Sequence, residues 1–340
     1  MKTIKLFCLA GLVICLPACQ KNFSTMLDDP APSGETGEVT FYLGGVTSGT
    51  RAGSDAFDDD VQSARIAVYN PSGTLVTTGT VTGNSSVTLS VPLGVNGYKA
   101  VAVVNGNTDP NDFQQDSVLM RQFSSFEDNL AANRDYLEMV GVESNLRFME
   151  LTPYVVRVNR LAAKVEIDQI VHATNNDASI SITGIYLINV NTQCNFNKEV
   201  PQYEWRQKQA YTSSETNVVK KTADILASPV NIPRDGSYTT PHYFYCYPNL
   251  TTTDSSASTW SPRYTRLVVE AKYNGVTCYY PINIVGTNKL LESNKLYKIE
   301  SLRITGPGSS SPDVPITKGS IDFSIHVSPW GTGFSSNVTI

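Results

Sequence analysis

The chain is short of the groups on which catalysis, metal binding and nucleic-acid binding depend. Only 17% of its 340 residues are charged, against roughly 25% in an ordinary globular protein, and Ser, Thr and Asn stand in their place. Its 26 Lys and Arg against 31 Asp and Glu give a net charge of -5. No run of Lys or Arg occurs, so the clustered basic face that phosphates require is missing, and nucleic acid is excluded as a partner. Histidine occurs three times, at His172, His242 and His326, each in strand-like text and none in HExxH spacing. GxSxG, Walker and GxGxxG patterns are also absent. The histidines read as structural, no enzyme is expected, and no cofactor is implied.

Cysteine is equally scarce. Cys8, Cys15 and Cys19 lie near the start, leaving Cys194, Cys246 and Cys278 for the body of the chain. An odd number rules out a complete disulfide framework, and without CxxC spacing there is no zinc site. Three buried free thiols are expected. The acidic run Asp55, Asp58, Asp59 and Asp60 lacks the glycine turn and distal Glu of a calcium loop, and reads as a solvated turn ahead of a strand. No metal site is expected.

One long apolar run exists, and it is at the start. Lys2 and Lys5 precede Leu6 to Leu16, and Leu16-Pro17-Ala18-Cys19 closes the segment, the layout of a signal peptide over residues 1–18. No later stretch reaches the roughly 18 apolar residues a membrane helix needs. Small residues ahead of Cys19 resemble the bacterial lipobox, in which cleavage precedes the cysteine and its sulfur and new amino group are acylated. The alternative is an ordinary signal peptide with an incidental cysteine. At about 0.8 kcal/mol per buried methylene, three acyl chains on Cys19 would anchor the chain firmly. Residues 19–38, rich in Pro, Gly and acid, read as a tether.

Beyond the tether, strand signals dominate. Val39 to Leu43, Arg65 to Tyr69, Thr74 to Val81, Val87 to Val91 and Tyr98 to Val104 are β-rich runs separated by Gly, Asn, Pro or Ser, as in a sandwich of antiparallel strands. One helix is expected, from a capping box at Ser124 to Glu127 with Phe126, Leu130, Arg134 and Leu137 on one face. Strand text returns at Leu146 to Leu151 and in the long run Tyr154 to Val171. There the alternation slips at Leu161-Ala162-Ala163, so a strand leaves one sheet for another and a domain boundary is expected near Ala162. In the second half, Asn274-Gly275 between two strand runs predicts a type I′ hairpin. Lys295 to Thr305 and Ser320 to Val327 continue the sheet, and 190–231 reads as an irregular excursion. The expected fold is mainly β: two tandem, transthyretin-like β-sandwich domains, 39–162 and 163–340, with a short helix in the first.

The seventeen Tyr, with Trp205, Trp260 and Trp330, leave two readings open. Tyr203, Trp205 and Tyr211 in the excursion could stack on sugars, making the chain a surface glycan-binding lipoprotein. The same residues are also ordinary strand formers that pack in cores.

Several segments, in order, resemble one family. Cys19, the strand Val39-Thr40-Phe41-Tyr42-Leu43, then Gly49-Thr50-Arg51-Ala52-Gly53, then Asp59 to Asn70 resemble the start of Bacteroidales fimbrillins, lipoprotein precursors of type V pili. Val158-Asn159-Arg160-Leu161-Ala162-Ala163-Lys164-Val165 resembles that family's domain junction. Asn294 to Tyr297, Gly308 to Asp313 and Ile325 to Trp330 resemble its C-terminal hairpin. The resemblance implies an adhesive fimbrial subunit, held first at the outer membrane by its lipid and then displayed in an extracellular fimbrium. It implies an arginine-specific protease cutting between Arg51 and Ala52 in the loop 44–53, and loss of the first strand with Val39, Phe41 and Leu43. A strand from another fimbrial subunit then fills the groove by β-augmentation. The implied donor is about 320–340, carrying Ile321, Phe323, Ile325, Val327, Phe334, Val338 and Ile340. Ligands on host or bacterial surfaces are further partners of an adhesive pilus.

Overall fold

Period-two alternation is what a strand buried on one face requires, and the first strand shows it without interruption. In the computed structural model β1 (Thr36–Gly44) buries Val39, Phe41 and Leu43 and turns its intervening residues outward. The structure describes residues 35–45, 61–81, 86–106, 108–125, 137–200, 205–209, 218–219, 225–255, 261–316, 319–330 and 336–339. After β1 come β2 (Ala64–Tyr69), β3 (Leu75–Thr80), β4 (Ser86–Pro92) and β5 (Tyr98–Val104). A 3-10 turn at Pro110–Gln114 and a one-turn helix, α1 (Asp116–Leu119), lead to β6 (Phe123–Ser125), β7 (Met139–Leu146), β8 (Tyr154–Arg157) and β9 (Asn159–Arg160).

Two sheets, in the orders β4-β1-β8 and β3-β2-β5-β7-β9, face each other across a core. That core includes Val39, Phe41, Leu43, Ile66, Val68, Ala100, Ala102, Phe148 and Val156.

The second half begins with β10 (Ala163–Ile167), β11 (Ile170–His172), β12 (Ile180–Ile188), β13 (Val190–Asn191) and β14 (Gln193–Asn195). It continues through β15 (Trp205–Arg206), β16 (Val218–Val219), β17 (Ile225–Ile232), β18 (Ser237–Tyr238) and β19 (His242–Cys246). It ends with β20 (Arg266–Tyr273), β21 (Val276–Asn283), β22 (Lys295–Ile299), β23 (Leu302–Ile304), β24 (Ile321–Pro329) and β25 (Ser336–Thr339). A sheet ordered β17-β12-β20-β21 packs on a larger one in which β22 and β23 both pair with β24, and β24 with β25. The architecture is therefore mainly β, two sandwiches in tandem.

The slip in alternation coincides with a change of partners. Tyr154–Arg157 pairs with β1 and Asn159–Arg160 with β7, whereas Ala163–Ile167 pairs with β19 and β22. The Asn-Gly hairpin forms as expected, with φ of 50° at Asn274 and 81° at Gly275, the left-handed pair a type I′ turn needs.

Three expectations are corrected. Where a helix start was expected at Ser124, Phe123–Ser125 is a strand paired with β14; the rest of that segment, 126–136, lies outside the described residues. The helical turns lie just upstream, where Asp109 and Asp112 form a reciprocal capping box. The strand expected at Leu146 to Leu151 lies instead at Met139–Leu146. Its continuation breaks because Asn145 and Leu151 take left-handed φ of 57° and 58°, which sends Phe148 into the core and leaves Met149 and Leu151 outside. The excursion also ends early: Ile225–Ile232 pairs along β12, its Pro229 tolerated because this is an edge strand.

The two sandwiches share apolar packing. Ala67, Tyr69, Val101 and Val103 belong to the same cluster as Cys194, Phe196 and the core of the second half, and β6 pairs across to β14. Charge is also used internally. Arg263 and Arg266 both bond the Asp313 carboxylate, and Arg266 also reaches Asp254, so the segment carrying Asp313 is pinned over β20.

Cys194, Cys246 and Cys278 are free and buried. Burial pushes the Cys194 and Cys246 thiols up to about 12, and the thiolate is the reactive form. Iodoacetamide at pH 8 should therefore leave both unmodified in the folded protein and modify both in denaturant, read by peptide mass spectrometry. Rapid labelling of either in the native state would contradict their burial.

Candidate functional site

β1 is the middle strand of its sheet. It runs antiparallel to β4, from Thr36 opposite Pro92 to Tyr42 opposite Ser86. On its other side it runs parallel to β8, from Phe41 opposite Tyr154 to Gly44 opposite Arg157. Its removal would leave two facing sheet edges and an open slot between them.

The slot is built around an aromatic socket. The Phe41 ring lies 5.6 Å from Phe148, edge to face, and 5.9 Å from Tyr154; Phe148 in turn lies 5.4 Å from Tyr98 and 5.3 Å from Tyr154. Tyr154 is held in place because its hydroxyl donates to the Arg147 carbonyl at 2.6 Å and accepts from the Met149 N–H at 3.1 Å. Outside, Thr40 and Thr88 hydroxyls meet at 3.0 Å. The strand ends sharply: Gly45 has φ +86°, and a Cβ there would lie 2.6 Å from the Val158 carbonyl oxygen, so glycine alone fits. Arg51 and Ala52, after the strand, and Cys19, before it, lie outside the described residues.

At the other end of the chain, the expected donor divides into two unlike parts. β24 is internal, paired with β22 and β23 on one side and β25 on the other. Ile325 and Val327 are buried, while Ile321 and Phe323 are half-buried. Among the described residues β25 pairs with β24 alone, Val338 opposite Ile325; Phe334 and Ile340 lie outside the described residues. Between the two parts stands Trp330. Its ring stacks on Tyr245 at 5.6 Å and lies under the Arg160 guanidinium at 4.5 Å, and its carbonyl accepts from Arg160 Nη1 at 3.1 Å. The tail is thus fastened at Trp330, and among the described residues beyond it β25 pairs with β24.

The remaining candidates go elsewhere. His172 is buried, with Nδ1 2.9 Å from the Ile232 carbonyl and Nε2 2.8 Å from Thr174 Oγ1, while His242 bonds the Tyr238 hydroxyl. Trp205 and Trp330 are buried, so neither offers a face to a sugar; Trp260, Tyr203, Tyr211 and the acidic run Asp55 to Asp60 lie outside the described residues. Among the described residues no cluster of His, Cys, Asp and Glu could hold a metal ion.

Sequence reasoning found the alternating face of β1 but missed Tyr98, Phe148 and Tyr154, which form its socket, and the Arg160–Trp330 clamp. Only the aromatic density around Phe148 to Tyr154 pointed that way.

Solved structures share this architecture. A fimbrilin from Porphyromonas gingivalis superposes with a TM-score of 0.63 at 16% identity, covering 86% of this chain and 97% of that one. The fold is fimbrillin-like. A proposed cell adhesion protein of Bacteroides eggerthii gives a TM-score of 0.62 at 17% identity, over 87% of this chain and 97% of that one. The tip fimbrial protein Mfa3 of Porphyromonas gingivalis, truncated at its C-terminus, gives 0.51 at 15% identity, over 85% and 99%. No protein-family model and no curated protein matches the sequence.

If the core of the first sandwich rests on the Phe41 socket, Phe41→Ala should lower the stability of that sandwich by about 3–5 kcal/mol. Tyr42→Ala, on the exposed side of the same strand, should cost under about 0.5 kcal/mol. Denaturant titration followed by near-ultraviolet circular dichroism reads the difference, and equal costs would contradict the socket.

Proposed function

We propose that this protein is a structural subunit of an adhesive fimbria, exported as a lipid-anchored precursor and polymerised by exchange of its first strand. The observation that carries the reading is the position of β1, clasped between β4 and β8 with Val39, Phe41 and Leu43 in the core. Such a strand leaves behind a strand-shaped vacancy rather than a frayed edge.

In this reading residues 1–18 are the signal peptide, acylated Cys19 and the tether 19–38 hold the precursor at the outer membrane, and the two domains are 39–162 and 163–340. An arginine-specific protease cuts between Arg51 and Ala52, and everything before Ala52 leaves, lipid and β1 together. Exposing Val39, Phe41 and Leu43 sites costs roughly 5–9 kcal/mol at about 1.5–3 kcal/mol per side chain, comparable with the stability of a whole domain. The cut subunit therefore takes up a replacement strand from another subunit.

Within 320–340, the segment after Trp330 is the part that leaves. Among the described residues it is held by one ladder, β24 to β25, whereas β24 is paired on both sides and Trp330 is clamped. The subunit itself performs no catalysis.

Intact-mass measurement on protein from the native host tests the processing: assembled subunits should begin at Ala52 and carry no lipid. Acylated Cys19 in every assembled molecule would overturn it. Deleting Ser335 to Ile340 should abolish polymer formation while leaving the cut subunit folded; fibres of normal length from the deleted protein would reject the donor.

A further inference from the structure

The loop between β7 and β8 presents two apolar side chains to solvent. Leu151 is 98% exposed and Met149 59%, and Leu151 is held in the left-handed region at φ 58°, a conformation a leucine rarely adopts. The loop is firmly placed: the Gly94 N–H donates to the Phe148 carbonyl at 2.9 Å, and a Cβ at Gly37 would lie 3.2 Å from Glu150 Cγ. The knob thus stands beside the Thr36 end of β1, at the mouth of the slot.

A complementary feature lies where the tail departs. A cleft of about 430 Å³ is lined by Lys198, Pro248, Leu250, Glu292, Lys295 and Pro329 among others. Leu250 is 49% exposed. Pro329 directly precedes the clamped Trp330, and Lys295 pairs with Pro329 in the ladder.

We infer that Met149 and Leu151 of one subunit dock into this cleft of the next, the subunit whose tail fills the slot. The inference rests on the strand-exchange reading above and adds to it the polarity and body contact of the joint. An incoming strand that runs in the direction of β1 keeps the longer ladder, that to β4, antiparallel, the more stable arrangement. Its upstream end, attached to the donor's body, then enters at the Thr36 mouth, next to the knob. Ten residues, Gly331 to Ile340, follow Trp330, and β1 spans nine. If residues 331–340 are the strand that fills the slot, Trp330 lies within on the order of 10 Å of that mouth. The donor's cleft and the acceptor's knob meet across the same short span. Charge agrees, since Glu150 on the knob faces a cleft carrying Lys198 and Lys295 beside a single Glu292.

The test separates docking from strand exchange. Full-length subunits are cut at Arg51 and followed in two assays: uptake of a labelled peptide of sequence Trp330 to Ile340, which needs only the slot, and polymerisation, which needs the joint. Met149→Lys with Leu151→Lys, and separately Leu250→Lys, should take up peptide at the wild-type rate and polymerise at least roughly tenfold more slowly, the loss of one apolar anchor. Polymers of Leu151→Cys/Leu250→Cys protein should also cross-link between subunits with a short bismaleimide. Wild-type polymerisation by the lysine variants, or no cross-link, overturns the docking and leaves strand exchange standing. Loss of peptide uptake in the variants also overturns it, by making the knob part of the slot. Failure of the wild type in both assays overturns both readings.

Discussion

The structure depends on one long-range arrangement, the insertion of β1 between β4 and β8. Its neighbours come from distant parts of the chain, so both of its ladders close long loops. Parallel pairing with β8 has a further consequence. Parallel strands cannot be joined by a tight turn, and no local connection ties β1 to that wall. A strand so placed is stabilised strongly when present and is attached weakly by covalent topology, which is what exchange between chains requires. An exchange of one alternating strand for another is close to thermoneutral, because the same pockets and the same edge groups are satisfied before and after. In the proposed assembly its direction comes from proteolysis, which removes the original strand from the competition.

The half of this arrangement that lies within β1 was legible in the sequence, because Val39, Phe41 and Leu43 alternate with polar neighbours and period two is a local signal. The type I′ hairpin at Asn274-Gly275 and the change of sheet near Ala162 were legible for the same reason. The socket was not. Phe148 reaches the core from a loop after a left-handed Asn145, and an aromatic in an irregular segment carries no period by which to place it. The helix expected at Ser124 failed on a related point: a Ser-x-x-Glu spacing records a local preference, and pairing of Phe123–Ser125 with β14 overrides it.

The low charge of the chain also changes meaning in three dimensions. Several of its charged groups are internal fasteners. Arg160 covers Trp330, and Arg263 and Arg266 converge on Asp313. Removing one partner of such a buried set strands the others, so these ties hold segments in place more than they add net stability. Both lie at points where an otherwise irregular segment must keep its position, one at the root of the tail and one in the stretch between β23 and β24. In the proposed assembly, release of the tail beyond Trp330 therefore need not break the ladders that β24 forms with β22 and β23.

In the proposed assembly, the positions of slot and tail determine the shape of the product. β1 belongs to the first sandwich and β25 to the second, so the two surfaces that would join are different patches of one molecule. A contact of that kind is heterologous: each subunit accepts at one patch and donates at another, and unless the rotation between neighbours closes a ring, the assembly grows as an open filament. A twofold dimer would require a self-complementary patch, which strand insertion does not provide. In the proposed assembly the fibre form would thus follow from where β1 and the tail lie, one in each sandwich. In that assembly, alternate side chains in the socket and backbone bonds to β4 and β8 would fix the register of each joint, so the spacing along the filament would be constant and independent of the length of the loop after β1.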